Sequence, residues 1–346
     1  MLRSLIVALA LLSAPATAQT PASAQTPASA QTPASARTKV VFGTDWLAEA
    51  EHGGFYQALA RGFYARRGLD VTIRAGGPQS NPEQAIATGI VDFQMTSGSF
   101  GVLNLVRQNI PVVAVAALFQ KDPQVLISHQ GAGNDSLAQM RGKPIMISAA
   151  ARNGWWLFLK SRFGFDDAQI RPYNFQLAPF LADRQSIQQG FVTSEPYQIE
   201  RVTGIRPVVN LLADNGFSSY CDLILVQARS IRERPEVVRA FVEASIEGWY
   251  SYLYEDPTPG NALIRAANKD MTAETIDYAM RLMRQHGLVD SGDSLTLGIG
   301  AMTDARWKDF FDTAVAAGLH KPDLDFRRGY TLDFVNHRHA IAMRAP

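Results

Sequence analysis

Cysteine is almost absent from this 346-residue chain. Cys221 stands alone, which excludes an intramolecular disulfide framework. Net charge is also scarce, with 33 basic against 32 acidic side chains. No basic stripe suggests nucleic acid, and no polybasic amphipathic helix suggests a lipid surface. Long apolar runs are missing. Leu5 to Leu12 is unbroken, but it is well short of the ~20 residues that span a bilayer, and no later segment does better. Enzyme signatures are lacking as well. There is no Gly-x-Ser-x-Gly elbow, no phosphate loop ending in Lys and Ser/Thr, and no His-Glu-x-x-His helix.

What the chain does have begins at its start. Arg3 is the only charge among the first eighteen residues, and Ala16-Thr17-Ala18 follows the apolar run. A positive start, a short apolar stretch and a small-x-small exit predict a secretory signal over 1–18, with a buried helix as the alternative. No cysteine stands near that exit, so the mature chain is expected in a periplasm without a lipid anchor. Removing Arg3 leaves 32 charges of each sign. Three copies of Gln-Thr-Pro-Ala-Ser-Ala then run from Gln19 to Ala36. They carry no apolar face, and a flexible leader over 19–37 is expected.

From Lys39 onward, β-rich runs alternate with helical ones. Val40-Val41-Phe42 opens a strand that ends at Asp45-Trp46. Gly54 to Arg67 follows as a helix, with Phe55, Leu59 and Phe63 on one face. Val71-Thr72-Ile73, Val91 to Thr96 and Pro111 to Phe119 read as further strands. A second series starts near Pro123, with strands at Val125 to Ile127, Pro144 to Ser148 and Ile170 to Phe175. Phe191-Val192 leads into another, ending at Glu195-Pro196. After Asp222 to Val226 the pattern turns helical. Such alternation predicts an α/β architecture of parallel sheets flanked by helices, and the length allows two lobes. The aromatics of the late helices, Trp249, Tyr250, Tyr252, Trp307, Phe310 and Phe311, read as scaffold.

Ligands of open parallel sheets lie beyond the carboxyl ends of the strands, and four strand ends here carry chemistry. At the first, Asp45 can accept from ring or amine N–H groups, Trp46 offers a stacking face, and His52 sits at a helix start. Asp45 as a turn cap and Trp46 as core is the plainer reading. At the second, Ser97, Gly98 and Ser99 enter a helix and offer backbone N–H groups to a polar atom or simply cap it. At the third, Arg152 follows a run of small residues and either clamps an anion or is solvated. At the fourth, Glu195 ends an apolar strand, where a carboxylate needs water or a donor-rich ligand. His337 and His339 make a weak metal pair in a tail, so no metal is expected. Cys221 reads as a buried thiol.

At these residues the sequence resembles a known family. Thr44-Asp45-Trp46, then His52-Gly53-Gly54, then Gly62-Phe63-Tyr64 and Gly68-Leu69-Asp70-Val71 are similar to the opening of the nitrate/taurine/thiamine-precursor class of solute-binding proteins. Gln189-Gly190-Phe191-Val192-Thr193-Ser194-Glu195-Pro196 resembles a second hallmark of that class, and the likeness runs from about Lys39 to about Glu243. The resemblance implies a two-lobed periplasmic binding protein fold closing by a hinge. The strand–helix alternation then places one lobe at 38–122 with 222–346 and the other at 123–221. It also implies an aminopyrimidine held by residues mapping onto Asp45, Trp46 and Glu195. Two departures bear on the ligand. Leu47-Ala48 follows the tryptophan where the thiamine branch usually has Pro-Asn, and the cysteine-rich run of the related fungal pyrimidine-forming enzymes is missing. The expected function is the periplasmic substrate-binding component of an ABC importer, a monomer without cofactor whose partners are a small molecule and a membrane permease. The expected ligand is a flat nitrogen heterocycle. A sulfonate, nitrate or aromatic carboxylate on Arg152 and Ser97–Ser99 is the alternative, and a pyrimidine-synthesising enzyme is the third reading.

Overall fold

The computed structural model describes residues 37–344. The signal expected at 1–18 and the leader expected at 19–37 lie outside them, apart from Arg37. The body contains two five-stranded sheets. The first runs β2 (Leu69–Arg74), β1 (Thr38–Gly43), β3 (Phe93–Thr96), β10 (Cys221–Gln227), β4 (Val112–Phe119). The second runs β7 (Ile170–Pro172), β6 (Ile145–Ile147), β8 (Ile187–Phe191), β5 (Gln124–Ser128), β9 (Val208–Leu211). Helices between successive strands make this an α/β protein, as the alternation predicts.

The sheets are mixed rather than parallel. β1 pairs in parallel with β2 and β3, but β10 is antiparallel to both β3 and β4. In the second sheet β5 is antiparallel to β8 and β9. The connections explain the difference. β4 passes into β5 without a helix, and β10 returns from the second sheet at the end where β3 and β4 finish, so it must run back against them. Local alternation reports parallel neighbours joined by helices and is silent about such a return.

Three local expectations are also corrected. The helix expected over Gly54 to Arg67 is two, Gly53–Ala60 and Phe63–Arg66, divided at Gly62 with φ of +71°. A left-handed residue cannot continue a helix, and glycine takes that conformation without steric cost. Glu195-Pro196 does not end a strand. β8 stops at Phe191, and Glu195 opens the helix Glu195–Thr203 with proline in its first turn, where the missing N–H costs nothing. The strand expected over Ile170 to Phe175 stops at Pro172, and Phe175 has φ of +62°.

The core explains the Gly53-Gly54 pair. The helix Pro235–Tyr254 buries Val238, Phe241, Ser245, Trp249 and Tyr252 along one face, and Phe241 stacks on Phe93 at 4.0 Å between ring centroids. A Cβ on Gly54 would lie 2.2 Å from the Trp249 ring, and one on Gly248 would lie 2.1 Å from the Gly54 carbonyl oxygen. The two helices therefore meet backbone to backbone. Gly248→Ala is expected to destabilise the protein by about 1–3 kcal/mol, since overpacking against main chain cannot be relieved by a rotamer change. The helix propensity gained, roughly 1 kcal/mol, only partly offsets this. A fall in the urea midpoint reads the effect, and an unchanged midpoint would refute it. The late aromatics are scaffold as expected, with Trp249, Tyr250, Tyr252 and Trp307 fully buried.

The two segments that pass between the sheets are held by one side chain. Arg306 donates to the carbonyls of Gln120, Ser218 (3.1 Å) and Ser219 (3.2 Å), and its guanidinium lies 4.0 Å over the Tyr220 ring. This clasp fixes where the strand ends of both sheets face one another.

Candidate functional site

The chain beyond β1 turns at once. Thr44 Oγ1 donates to the Trp46 carbonyl, and Gly76 N donates to the same oxygen. A Cβ on Gly76 would lie 2.6 Å from the Thr44 oxygen, so only glycine allows the two loops to touch. The turn presents Asp45, whose two oxygens are both engaged. One accepts from the Ser97 hydroxyl, and the other lies 3.4 Å from His52 Nε2. His52 is 1 % exposed, and its Nδ1 has no partner among the described residues.

Around this pair the fold assembles carboxyl groups from four segments. Glu49 precedes the short turn Ala50–His52 and Glu51 lies within it, Glu195 comes from the second sheet, and Asp122 and Asp222 stand on the two crossings. Thr193 donates its hydroxyl to Glu51, joining a first-sheet loop to a second-sheet loop. Burial drives the Glu49 carboxyl well above its ordinary range, with Glu51, Asp45, Glu195 and Asp222 adding to the shift. Burial likewise raises Asp222, helped by Asp45, and it raises Glu51 although the Thr193 bond opposes it. Glu195 is pushed up to about 7, chiefly by burial. Asp122 is pushed up to about 7 for the same reason. Among the largest influences on these groups the one basic partner is His52.

Glu195 is held by its own segment, because Oε2 accepts from Phe191 N at 2.8 Å. Its Oε1 accepts from the Tyr173 hydroxyl at 3.4 Å. Tyr173 leads to an aromatic wall. Its ring lies 5.2 Å from Phe175, which lies 4.6 Å from Trp46. Trp46 belongs to the loop after β1 and Phe175 to the loop after β7, so this wall is shared by the two sheets. Beside it, the Gln188 amide is fully buried with neither its nitrogen nor its oxygen paired among the described residues. Asp222 Oδ2 is a third buried orphan, on a residue with φ of +49°. Unpaired buried polar groups cost about 1–3 kcal/mol each. All three stand near the clustered carboxyls.

The structure thus brings Asp45, Trp46, His52, Ser97 and Glu195 together. It adds Glu49, Glu51, Asp222, Tyr173, Phe175 and Gln188, which sequence reasoning did not assign. Only Glu51 carried a signal there, as the acid beside His52 at a helix start. Ser99 is used otherwise: its N–H donates to Ser219 Oγ, and its hydroxyl accepts from Tyr220 N. Those bonds tie the helix Ser99–Arg107 to the second crossing, and Gly98 lies against Ser219. Arg152 stands apart. It is exposed and helps Lys160 and Trp156 hold the Asp167 carboxyl down. Cys221 is buried, and burial with Asp222 beside it drives its thiol well above the ordinary range. Among the described residues no group of His, Cys, Asp and Glu is disposed to hold a metal.

Several known proteins are similar to this chain. The riboflavin-binding protein RibY of Chloroflexus aurantiacus is 27 % identical over 307 residues, 86 % of this chain and 86 % of that one. The formylaminopyrimidine-binding protein of Halalkalibacterium halodurans is 24 % identical over 218 residues, 62 % of this chain and 66 % of that one. Two further relatives, at 20 % and 23 % identity, are named 4-amino-5-hydroxymethyl-2-methylpyrimidine phosphate synthase. Among solved structures, the periplasmic aliphatic sulphonate-binding protein SsuA of Escherichia coli superposes with a TM-score of 0.60 at 13 % identity, over 84 % of this chain and 91 % of that one. The fold is therefore the periplasmic binding protein fold. The family model described as NMT1/THI5 like matches residues 49–259, a span holding most of the acidic cluster and the aromatic wall, and the chain belongs to that family.

Proposed function

We propose that this protein is the substrate-binding component of an ABC importer and works outside the cytoplasm, in the periplasm. Its lobes, 38–122 with 222–346 and 123–221, close on a flat nitrogen heterocycle. The observation that carries this reading is the sign of the site. Asp45, Glu49, Glu51, Asp122, Glu195 and Asp222 gather with His52 as the one basic partner among their largest influences, beside an aromatic wall contributed by both sheets. Ring and exocyclic N–H groups satisfy such acceptors, while the rings pack on Trp46, Phe175 and Tyr173. The relatives named for riboflavin and formylaminopyrimidine support a heterocycle. A sulfonate or nitrate would meet a cluster of acids instead of an arginine or lysine, since Arg152 stands apart. A receptor rather than a catalyst is also favoured by the chemistry of the site, where the nearest thiol is held protonated by burial. A monomer delivering to a membrane permease completes the proposal.

Calorimetric titration with riboflavin, an aminopyrimidine and an alkanesulfonate tests it. One of the two heterocycles is expected to bind saturably and to raise the melting temperature, because a ligand bound only by the folded state stabilises it by mass action. Binding of the sulfonate alone, or chemical conversion of a bound heterocycle, would overturn the reading.

A further inference from the structure

A second polar cavity of about 220 Å³ lies between the helices Ser99–Arg107 and Trp155–Phe163 and the segment Leu319–His320. It shares no residue with the acidic cluster. Its volume is several times the roughly 30 Å³ taken by one water in the liquid. Its polar lining is Asn104, Arg107, Gln108, Asn153 and His320, with no Asp or Glu.

These side chains are unspent. Among the described residues the Arg107 guanidinium makes no ion pair, and none of the three amide side chains makes a hydrogen bond. His320 is 7 % exposed, and its buried Nδ1 has no partner. Burial and the nearby Arg107 lower its pKa, so the imidazole adds no positive charge at pH 7. The helix Trp155–Phe163 starts beside Asn153 at Gly154, with no side chain capping it. That positive end faces the negative end of Ser99–Arg107, so the two dipoles oppose and the side chains decide the preference. Arg107 excludes a cation, and the amides and imidazole present several N–H donors to one space.

We propose that this cavity binds a small oxyanion, a phosphate or a carboxylate, through Arg107, Asn104, Gln108, Asn153 and His320. The helix carrying Arg107 follows β3 of the first sheet, and Asn153 follows β6 of the second. The anion would therefore join helices of both sheets, apart from the site for the transported molecule and independently of what that molecule is.

Calorimetric titration of the purified protein with inorganic phosphate, and in parallel with acetate, at ionic strength fixed by sodium chloride tests this. Saturable binding of one phosphate or one acetate per chain is expected, and the tighter of the two identifies the anion class. Arg107→Gln should weaken it at least about tenfold, the effect of losing one charge-assisted bond. Asn153→Ala should weaken it by a smaller factor. Arg107 and Asn153 are both exposed, so the variants should melt like wild type without the anion, which separates lost binding from lost folding. No saturable binding of either anion, or equal affinity in Arg107→Gln, overturns the proposal.

Discussion

Glu195→Gln is expected to raise the melting temperature of the ligand-free protein at pH 7.5 by several degrees, and in the same molecule to weaken ligand binding by about 10- to 150-fold. The two effects share one cause. The half-buried Glu195 carboxyl is pushed up to about 7 from an ordinary 4.5, so ionising it inside the fold costs up to about 3 kcal/mol at one pH unit per ~1.4 kcal/mol. The amide keeps the shape and, through its oxygen, the bond from Phe191 N, but it carries no charge to desolvate. In the proposed function, the charge that costs stability is also the acceptor for a ligand N–H. Replacing it removes a charge-assisted bond of roughly 1.5–3 kcal/mol. Melting curves and calorimetry on one preparation check both halves. A variant that is less stable and still binds like wild type would move the site away from Glu195.

The ligand-free protein is expected to lose several kcal/mol of stability as the pH rises from about 4.5 to 7. Carboxyls whose folded pKa is raised hold their protons in the native state while the unfolded chain has released them. Stability therefore falls with rising pH between the unfolded and folded values and levels off above the latter. Glu195 and Asp122, each pushed up to about 7 by burial, lose their protons within this window. They contribute of order 3–4 kcal/mol apiece, and Glu49, Glu51 and Asp222 act in the same direction. Glu247, where Arg67 outweighs burial and lowers the carboxyl, acts oppositely and only at lower pH. A donor-rich ligand pairs with the ionised acids, so its affinity should climb over the same interval. Urea midpoints at pH 5, 6, 7 and 8 measure the first effect. A midpoint that stays flat or rises from pH 5 to 7 would contradict the buried acidic cluster.

How much of this was legible in the sequence follows from the range over which each feature is encoded. Strand β2 and the helices Pro82–Thr88, Pro235–Tyr254 and Ala273–His286 are written in local periodicity and capping, and they appear where that pattern puts them. Asp45, Trp46, His52 and Glu195 were singled out because polar or aromatic residues at element ends are poorly explained by core formation, and the structure gathers all four. Tyr173 and Phe175 reach Trp46 from more than 120 residues away. Asp222 belongs to the cluster only because β10 returns through the first sheet, and no window of neighbouring residues contains that information. Arg152 shows the converse. The run of small residues before it suggested close approach by a ligand, but the chain folds there into the short turn Ala150–Asn153, and the guanidinium ends beside Asp167.

The return of β10 also sets the order in which the chain can acquire its structure. The centre of the first sheet stays open until Cys221–Gln227 exists, because β10 lies between β3 and β4. Leu225 pairs with Gln94 and Ile224 with Ala116, contacts that close loops of more than a hundred residues. Such non-local pairing makes folding slow. While the chain emerges residue by residue, β3 and β4 are complete in sequence but lack the neighbour that joins them. The whole second sheet, inserted between β4 and β10, can form before the first one closes. The first sheet is thus the last to finish, and a chain caught before residue 227 lacks the strand that joins β3 to β4.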